Sequence, residues 1–273
     1  MRQLDIASLF LTTLAQTTAH HIPDVWDYPA LTTATTIFQS PFTEVDSCLE
    51  FTYGVTSSIA SAIYFTNKVW HYATSTSVAR TELVVRIFEA ILDLADMLDS
   101  WTPCLEPFNS IGPSELVTLS LVQNLAMSFH SAAQIYFQSC FDLSSVNSNK
   151  RSLAHLSRCT LLALEGAESD KARLPKAGAS FGWPVFVAAC ESPVELRSRW
   201  ISYWQKLLTS RIGGMRRALN VVEEVWRRAD TEPPYGTTAR FSRILEVRSA
   251  RIRISEPIWA TVLREHAVTL IAA

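Results

Sequence analysis

Apolar residues recur along this chain at three- and four-residue steps, the period of a helix with one buried face. The pattern is firmest over 78–100, where Leu83, Val84, Ile87, Phe88, Ile91, Leu92, Ala95 and Leu98 share one side. A longer helix is predicted from Ser114, read as its N-cap, to about Cys140. Its apolar side runs through Leu119, Val122, Ala126, Phe129, Ala133, Tyr136, Phe137 and Cys140. A shorter helix is expected over 150–164. Ser192-Pro193-Val194-Glu195 spells a start signal, with Ser at the N-cap, Pro at the first helical position and Glu reaching back. The helix after it carries Leu196, Trp200, Trp204, Leu207 and Leu208 on one side until Gly213-Gly214 break it. The next turns Met215, Ala218, Leu219, Val222, Val225 and Trp226 inward. Glu223 precedes Arg227, and Glu224 precedes Arg228, by one turn in the favourable order. Pro233-Pro234 end that helix, and one or two more are expected beyond it.

The beginning is weaker. A short helix is predicted over 4–17, then an irregular arm with Trp26 and Tyr28. Helical spacing resumes over 43–72, diluted by Gly54 and several Ser and Thr. No alternating strand pattern and no internal repeat stand out. The expected fold is all-α: an arm with a short helix over 1–42, then a single multi-helix domain over 43–273. About nine helices are expected around an aromatic-rich core or pocket.

Composition agrees with that reading. Residues AVILMFWYC make up 48% and charged residues 18%, where about a quarter charged is ordinary. Thirteen Phe, eight Trp and seven Tyr supply bulk for a core or for cavity walls. Only eight Gly argue against a turn-rich β fold. A net charge of -2 gives no global attraction to nucleic acid or acidic lipid. Cysteines at 48, 104, 140, 159 and 190 are odd in number and irregular in spacing, so they frame neither zinc nor disulfides. They read as small buried residues in a reducing compartment. No apolar run reaches the roughly 18–20 residues that span a bilayer, and no secretory signal is evident.

Three constellations could carry chemistry. Asp93, Asp96 and Asp99 form an acidic stripe opposite an apolar face, and a solvated face explains it better than a magnesium site. His130 and Gln134 lie one turn apart, with Tyr136 close by, and could hydrogen-bond a ligand or donate a proton; a satisfied, partly buried His explains the pattern better. Arg240, Arg243, Arg248, Arg251 and Arg253 alternate with apolar residues and read as the basic outer face of a core-anchored helix. No P-loop, dinucleotide fingerprint, nucleophile elbow or H-E-x-x-H occurs.

One stretch carries a family resemblance. Trp183-Pro184-Val185-Phe186-Val187-Ala188-Ala189-Cys190-Glu191, then Arg197 or Arg199, then Val221-Val222-Glu223-Glu224-Val225-Trp226-Arg227-Arg228, resembles the fungal-specific transcription factor regulatory domain. Upstream, Ala133-Gln134-Ile135-Tyr136-Phe137 is similar to that family's Ala-x-x-Ile-Tyr segment. The resemblance implies a helical domain that accompanies a six-cysteine zinc cluster and senses metabolites or partners. Ala189 stands where the family has Gly, and C-x2-C-x6-C occurs nowhere in these 273 residues. Trp183 and Trp226 read as core anchors, and Glu191 as the partner of Arg197 or Arg199.

Two functions are compatible with these residues. The first is a regulatory protein of secondary metabolism that binds a hydrophobic small molecule or a protein partner, with no cofactor, metal, membrane or direct nucleic-acid contact. It would be cytoplasmic or nuclear. The second is a cofactor-free cyclase or isomerase that folds a polyene for a [4+2] ring closure. In both, Phe129, Phe137, Trp183, Trp200 and Trp204 would wall the pocket, and His130, Gln134, Tyr136 or Tyr203 would supply the polar contact.

Overall fold

The computed structural model describes residues 3–18, 40–42, 49, 54–74, 81–103, 106, 108, 111, 115–144, 151–174, 182–209, 214–231, 241–247 and 250–265. Nine α-helices lie among them. They are α1 (Gln3–Gln16), α2 (Ser57–Thr74), α3 (Thr81–Ser100), α4 (Leu116–Cys140), α5 (Leu153–Lys171), α6 (Gly182–Cys190), α7 (Arg197–Thr209), α8 (Met215–Thr231) and α9 (Ile258–Glu265). Three strands, β1 (Phe141–Asp142), β2 (Phe241–Val247) and β3 (Ala250–Ser255), form an antiparallel sheet in the order β1-β3-β2. The calls on the arm at Trp26 and Tyr28, on Ser114, Gly213, Pro233-Pro234, Arg240 and Arg248, and on Cys48 and Cys104, lie outside the described residues.

Helix α4 is the axis. From Phe129 to Phe137 every residue is buried, including His130, Ser131 and Gln134. A helix wrapped on all sides needs more than the one apolar stripe seen in the sequence. Helix α5 lies against it closely because Gly166 meets Asn124 there, where a side chain would crowd the amide. Asn124 and Ser120 both donate to the buried Asp170 carboxylate, at 3.1 and 2.7 Å.

Tryptophan N–H groups tie the remaining elements together. Trp183 on α6 donates to Thr17 after α1 at 2.7 Å. Trp200 on α7 donates to Ser157 on α5 at 3.2 Å, and Ser157 donates to the Ala188 carbonyl on α6 at 2.7 Å. Trp226 on α8 reaches the Ala189 carbonyl at 2.7 Å. Trp70 on α2 reaches the Ser255 carbonyl of β3 at 2.8 Å. Each bond satisfies a group that would otherwise be costly to bury.

The sheet corrects one sequence reading. The basic segment taken for a helix is an antiparallel hairpin, in which Ile244 pairs with Arg253 and Glu246 with Arg251. Arg251 and Arg253 are exposed while Ile252 and Ile254 are buried, which is a two-residue period. Single charged residues between aliphatic ones fit either period over so short a run, and β-branched Ile at alternate positions favours the strand.

The start signal at Ser192 is the second correction. Pro193 caps a short 3-10 turn, Val194–Leu196, which runs on into α7, and no side-chain cap forms. The Ser192 hydroxyl turns to the Pro193 carbonyl instead, at 3.2 Å. At α4 the cap position falls on Glu115, with no side-chain cap bond, and Arg227 pairs with Glu224 in place of the expected Glu223; other helices form with shifted boundaries. Ser152 caps α5 by accepting from the His155 amide at 3.2 Å, and the helix runs past 164 to Lys171. Gly214, in the left-handed region at φ 87°, sits just before α8. Glu224 takes Arg228 at 2.8 Å across i,i+4 and also Arg227 at 2.6 Å across i,i+3. Bonds from Arg227 and then Arg228 pull its carboxyl down to about 2. Arg228 also reaches Glu265 on α9 at 2.5 Å, which joins the two helices.

Gly54 adopts φ 66° just ahead of α2, and a Cβ there would collide with Leu125 of α4. The turn and the close approach together explain why the helix begins only at Ser57. Gly54→Ala is expected to destabilise the fold by about 3 kcal/mol or more, read as a lowered urea midpoint. Trp226→Phe removes the indole donor, leaves the Ala189 carbonyl only the Ser192 amide, and opens space beside α6. It should cost roughly 2–4 kcal/mol in the same titration.

Candidate functional site

The residues singled out in the sequence fall into three groups. The first is a run of rings in the core. Phe129 stacks on Trp183 with centroids 5.9 Å apart and planes 14° apart. Phe10 tilts against Phe129 at 6.1 Å, and Tyr136 meets Trp183 edge-on at 6.3 Å. The Tyr136 hydroxyl donates to the Asn67 side-chain oxygen, and the Asn67 amide donates to the Thr13 carbonyl at 3.0 Å. Burial raises the Tyr136 pKa far above its ordinary value, so its proton stays on.

The second group lies on α7. Trp200 and Trp204 are fully buried, and Tyr203 meets Trp200 edge-on at 6.3 Å. The Tyr203 hydroxyl reaches Glu168 at 3.4 Å. These rings fill the space between α7 and its neighbours.

The third group gathers at the C-terminal end of α3. Both His130 Nε2 and Gln134 Nε2 lie on the Leu98 carbonyl, at 2.7 and 3.3 Å. Because the carbonyl can only accept, the imidazole proton sits on Nε2. Trp101 stacks on the His130 ring at 4.2 Å. The Gln134 amide also donates to Asp99 at 3.2 Å. Its two N–H bonds fix the amide and leave Oε1 with no partner among the described residues. Gln138, one turn further on, has a buried Oε1 in the same condition.

These last residues line a half-open cleft between α3, α4 and the chain entering β1. Leu98, Asp99, Gln134, Phe137, Gln138 and Phe141 form its walls. Its cavity volume is about 20 Å³, room for one water-sized group. Phe137 and Phe141 pack at 5.3 Å along it. A second cleft of about 20 Å³ lies among Gln16, Thr17, Trp70, Tyr136, Glu256 and Ala260. There the polar groups already have partners: Thr17, Trp70 and Tyr136 through the bonds above, and Glu256 through Arg264 and Thr261. In the first cleft, by contrast, Gln134 and Gln138 keep amide oxygens that are sealed from solvent and have no partner among the described residues.

Gln138 and Phe141 were not singled out in the sequence. The spacing of Gln134 and Gln138 by four was visible there, but the wall that makes it matter comes from α3. Asp93, Asp96 and Asp99 are exposed, as a solvated face requires, and Asp99 additionally forms a cleft wall. Arg197 pairs with Asp230 at 2.6 Å and lies over the Trp226 ring at 5.3 Å, while Arg199 pairs with Glu165 at 2.5 Å. Neither arginine pairs with Glu191, which accepts from Ser139 at 3.4 Å. Cys140 and Cys190 are buried, and burial raises both thiols well above the ordinary range, so neither is a nucleophile. Among the described residues there is no cluster fit to hold a metal, and no helix is long and apolar enough to cross a membrane.

A bundle wrapped round a buried central helix, braced by indole hydrogen bonds and closed by a small sheet, defines a mostly helical domain. The fungal specific transcription factor domain matches residues 10–271, and the chain belongs to that family. No curated protein and no solved structure matches it. Within the fold, the family-like residues Trp183, Ala189 and Trp226 are structural: two donate across helix junctions, and the third supplies a carbonyl.

His130 gives a pH signature. Burial lowers its pKa from 6.5 to about 4. The unfolded chain therefore takes up a proton at a pH where the folded chain refuses it. The stability contributed by a neutral His130 is whole above pH 6.5 and drains away as pH falls to about 4. His71, also lowered to about 4 by burial, acts in the same direction. Unfolding titrations across that window should show His130→Gln losing less stability than wild type on acidification, by up to roughly 3 kcal/mol.

Proposed function

We propose that this chain is the signal-receiving part of a fungal transcriptional regulator, acting through a hydrophobic small molecule held at the cleft beside α4. The observation that carries the reading is Gln134. It is only 2% exposed, its amide is fixed by two donated bonds, and its oxygen is left over in a wall shared with Phe137. Small-molecule sites combine apolar walls with a few placed polar groups in this way. The family match supplies the regulatory context.

No C-x2-C-x6-C motif occurs in these residues, so recognition of DNA is assigned to another segment or partner. Secondary metabolism is the proposed source of the molecule, and the cytoplasm or nucleus the proposed place of action.

The cyclase reading has less support. A ring closure needs a chamber that shapes a whole chain. Phe129, Trp200 and Trp204 are fully buried against other side chains, and His130, Tyr136 and Tyr203 have committed hydrogen bonds.

The test is to fuse the chain to an unrelated DNA-binding domain and measure a reporter in cells given organic extracts of fungal cultures. Extract-dependent output, lost in Phe137→Ala by at least about fivefold, supports the reading. Constant output overturns it. A new product on incubating purified protein with extract from a deletion strain would install the enzyme reading in its place.

A further inference from the structure

We infer that the exposed end of the α7–α8 hairpin docks an extended acidic segment of a partner protein. The observation is a set of cations without counter-ions. From Leu196 to Val222 the sequence has six Lys or Arg and no Asp or Glu. Arg197 and Arg199, early in α7, are taken by Asp230 and Glu165. Lys206 in the last turn of α7, and Arg216 and Arg217 in the first turn of α8, are exposed. No hydrogen bond or ion pair reaches their side chains among the described residues. On α5 and just after it, by contrast, Arg158, Lys171 and Arg173 each lie within 3.9 Å of a carboxylate.

Helix physics makes this placement unfavourable for the fold itself. Aligned peptide dipoles leave partial positive charge at a helix N-terminus, and two arginines there add to it. No acidic residue stands in the first turn of α8 to offset them, and the next acid on that helix is Glu223, two turns beyond Arg216. A local conflict of this kind, in a chain that pairs most of its cations, points to a use outside the fold.

Charge complementarity selects the occupant. Carboxylates along an extended segment supply the missing counter-ions. Leu208 and Leu219, half-buried on the same two helices, offer aliphatic surface to its apolar side chains. Duplex DNA fits less well. Strong salt-dependent grip takes roughly 6–10 phosphate contacts, three cations are free here, and a net charge of -2 gives no long-range attraction. None of these residues walls the cleft beside α4, so the inference goes beyond the small-molecule reading and does not depend on it.

The full chain is titrated into a fluorescein-labelled peptide of Asp-Leu-Glu-Ser repeats at neutral pH and low salt, with anisotropy as the readout. Binding should be saturable, at least about tenfold tighter than to the same peptide with Asn and Gln for Asp and Glu, and weakened by added salt. Lys206→Gln and Arg216→Gln should each weaken it about threefold, and the triple variant Lys206→Gln/Arg216→Gln/Arg217→Gln about thirtyfold. Arg216→Lys/Arg217→Lys keeps the charge and should bind close to wild type. Arg151→Gln, at an exposed cation ahead of α5, should leave binding unchanged. Arg216→Gln/Arg217→Gln should raise the urea midpoint while lowering peptide affinity, a combination that a merely structural role would not give. A labelled duplex that binds more tightly than the peptide would assign the surface to nucleic acid. Self-association in sedimentation that the triple variant abolishes would assign it to the acidic face of a second copy. Either result overturns the inference, as does equal binding of the two peptides or an unchanged triple variant.

Discussion

Burying residues 128–137 of α4 on every side is the constraint from which the rest follows. A helix with one buried face can send its polar side chains to water, and α4 cannot. Ser128 turns back to the Leu125 carbonyl at 2.7 Å, Tyr136 finds Asn67 of α2, and His130 and Gln134 share the last carbonyl that α3 offers to them. These bonds dictate where α2 and α3 sit. The amide oxygens of Gln134 and Gln138 are what remains after that accounting. In the candidate site those two oxygens lie beside apolar walls; Arg197 Nε and the Trp204 and Trp259 indoles are left without partners elsewhere among the described residues.

The same logic explains the tryptophans. Each large ring brings one N–H that gains from a partner when buried; Trp204 and Trp259 have none among the described residues. Trp70, Trp183, Trp200 and Trp226 each spend it on a different element, joining α2 to β3, α6 to α1, α7 to α5, and α8 to α6. Trp101 gives its proton to Glu106, whose carboxylate also receives Thr56 at 2.8 Å and Ser58 at the start of α2. The residues by which the family is recognised belong to this bracing, so the motif reports on the fold and is silent about the ligand.

How much was legible follows from the range of each interaction. Helices with one wet face wrote their periods plainly: Ile87, Phe88, Ile91, Ala95 and Leu98 of α3 are buried as the spacing predicts, and Met215, Ala218, Val222, Val225 and Trp226 of α8 likewise. The hairpin was missed because its alternating charged and aliphatic residues fit a helical period as well over so short a run; only its pairing with β1 is non-local. Arg251-Ile252-Arg253-Ile254 becomes a strand by lying between β2 and the two-residue β1 more than a hundred positions earlier. The capping motif at Ser192 misled because Pro193 could serve as the cap of a 3-10 turn just as well. Of the cleft, Gln134 and Phe137 were readable from α4. Gln138, Asp99 and Phe141 gain meaning only when α3 and β1 close on them.

Phe141 places the cleft at a joint. It is at once a wall of the cleft and the first residue of β1, where it pairs with Ile254 of β3. The residue after Ile254 is Ser255, whose carbonyl holds Trp70 of α2, and Glu256 then bonds Arg264 of α9. On its other side the cleft is closed by Gln134, clamped to the end of α3. A group bound there touches α3, α4 and the sheet together. A ligand shifts a conformational balance only through differential affinity for the states in it. Contact with three separately braced elements would give the proposed ligand that differential grip, which a chamber enclosed by one rigid element would not.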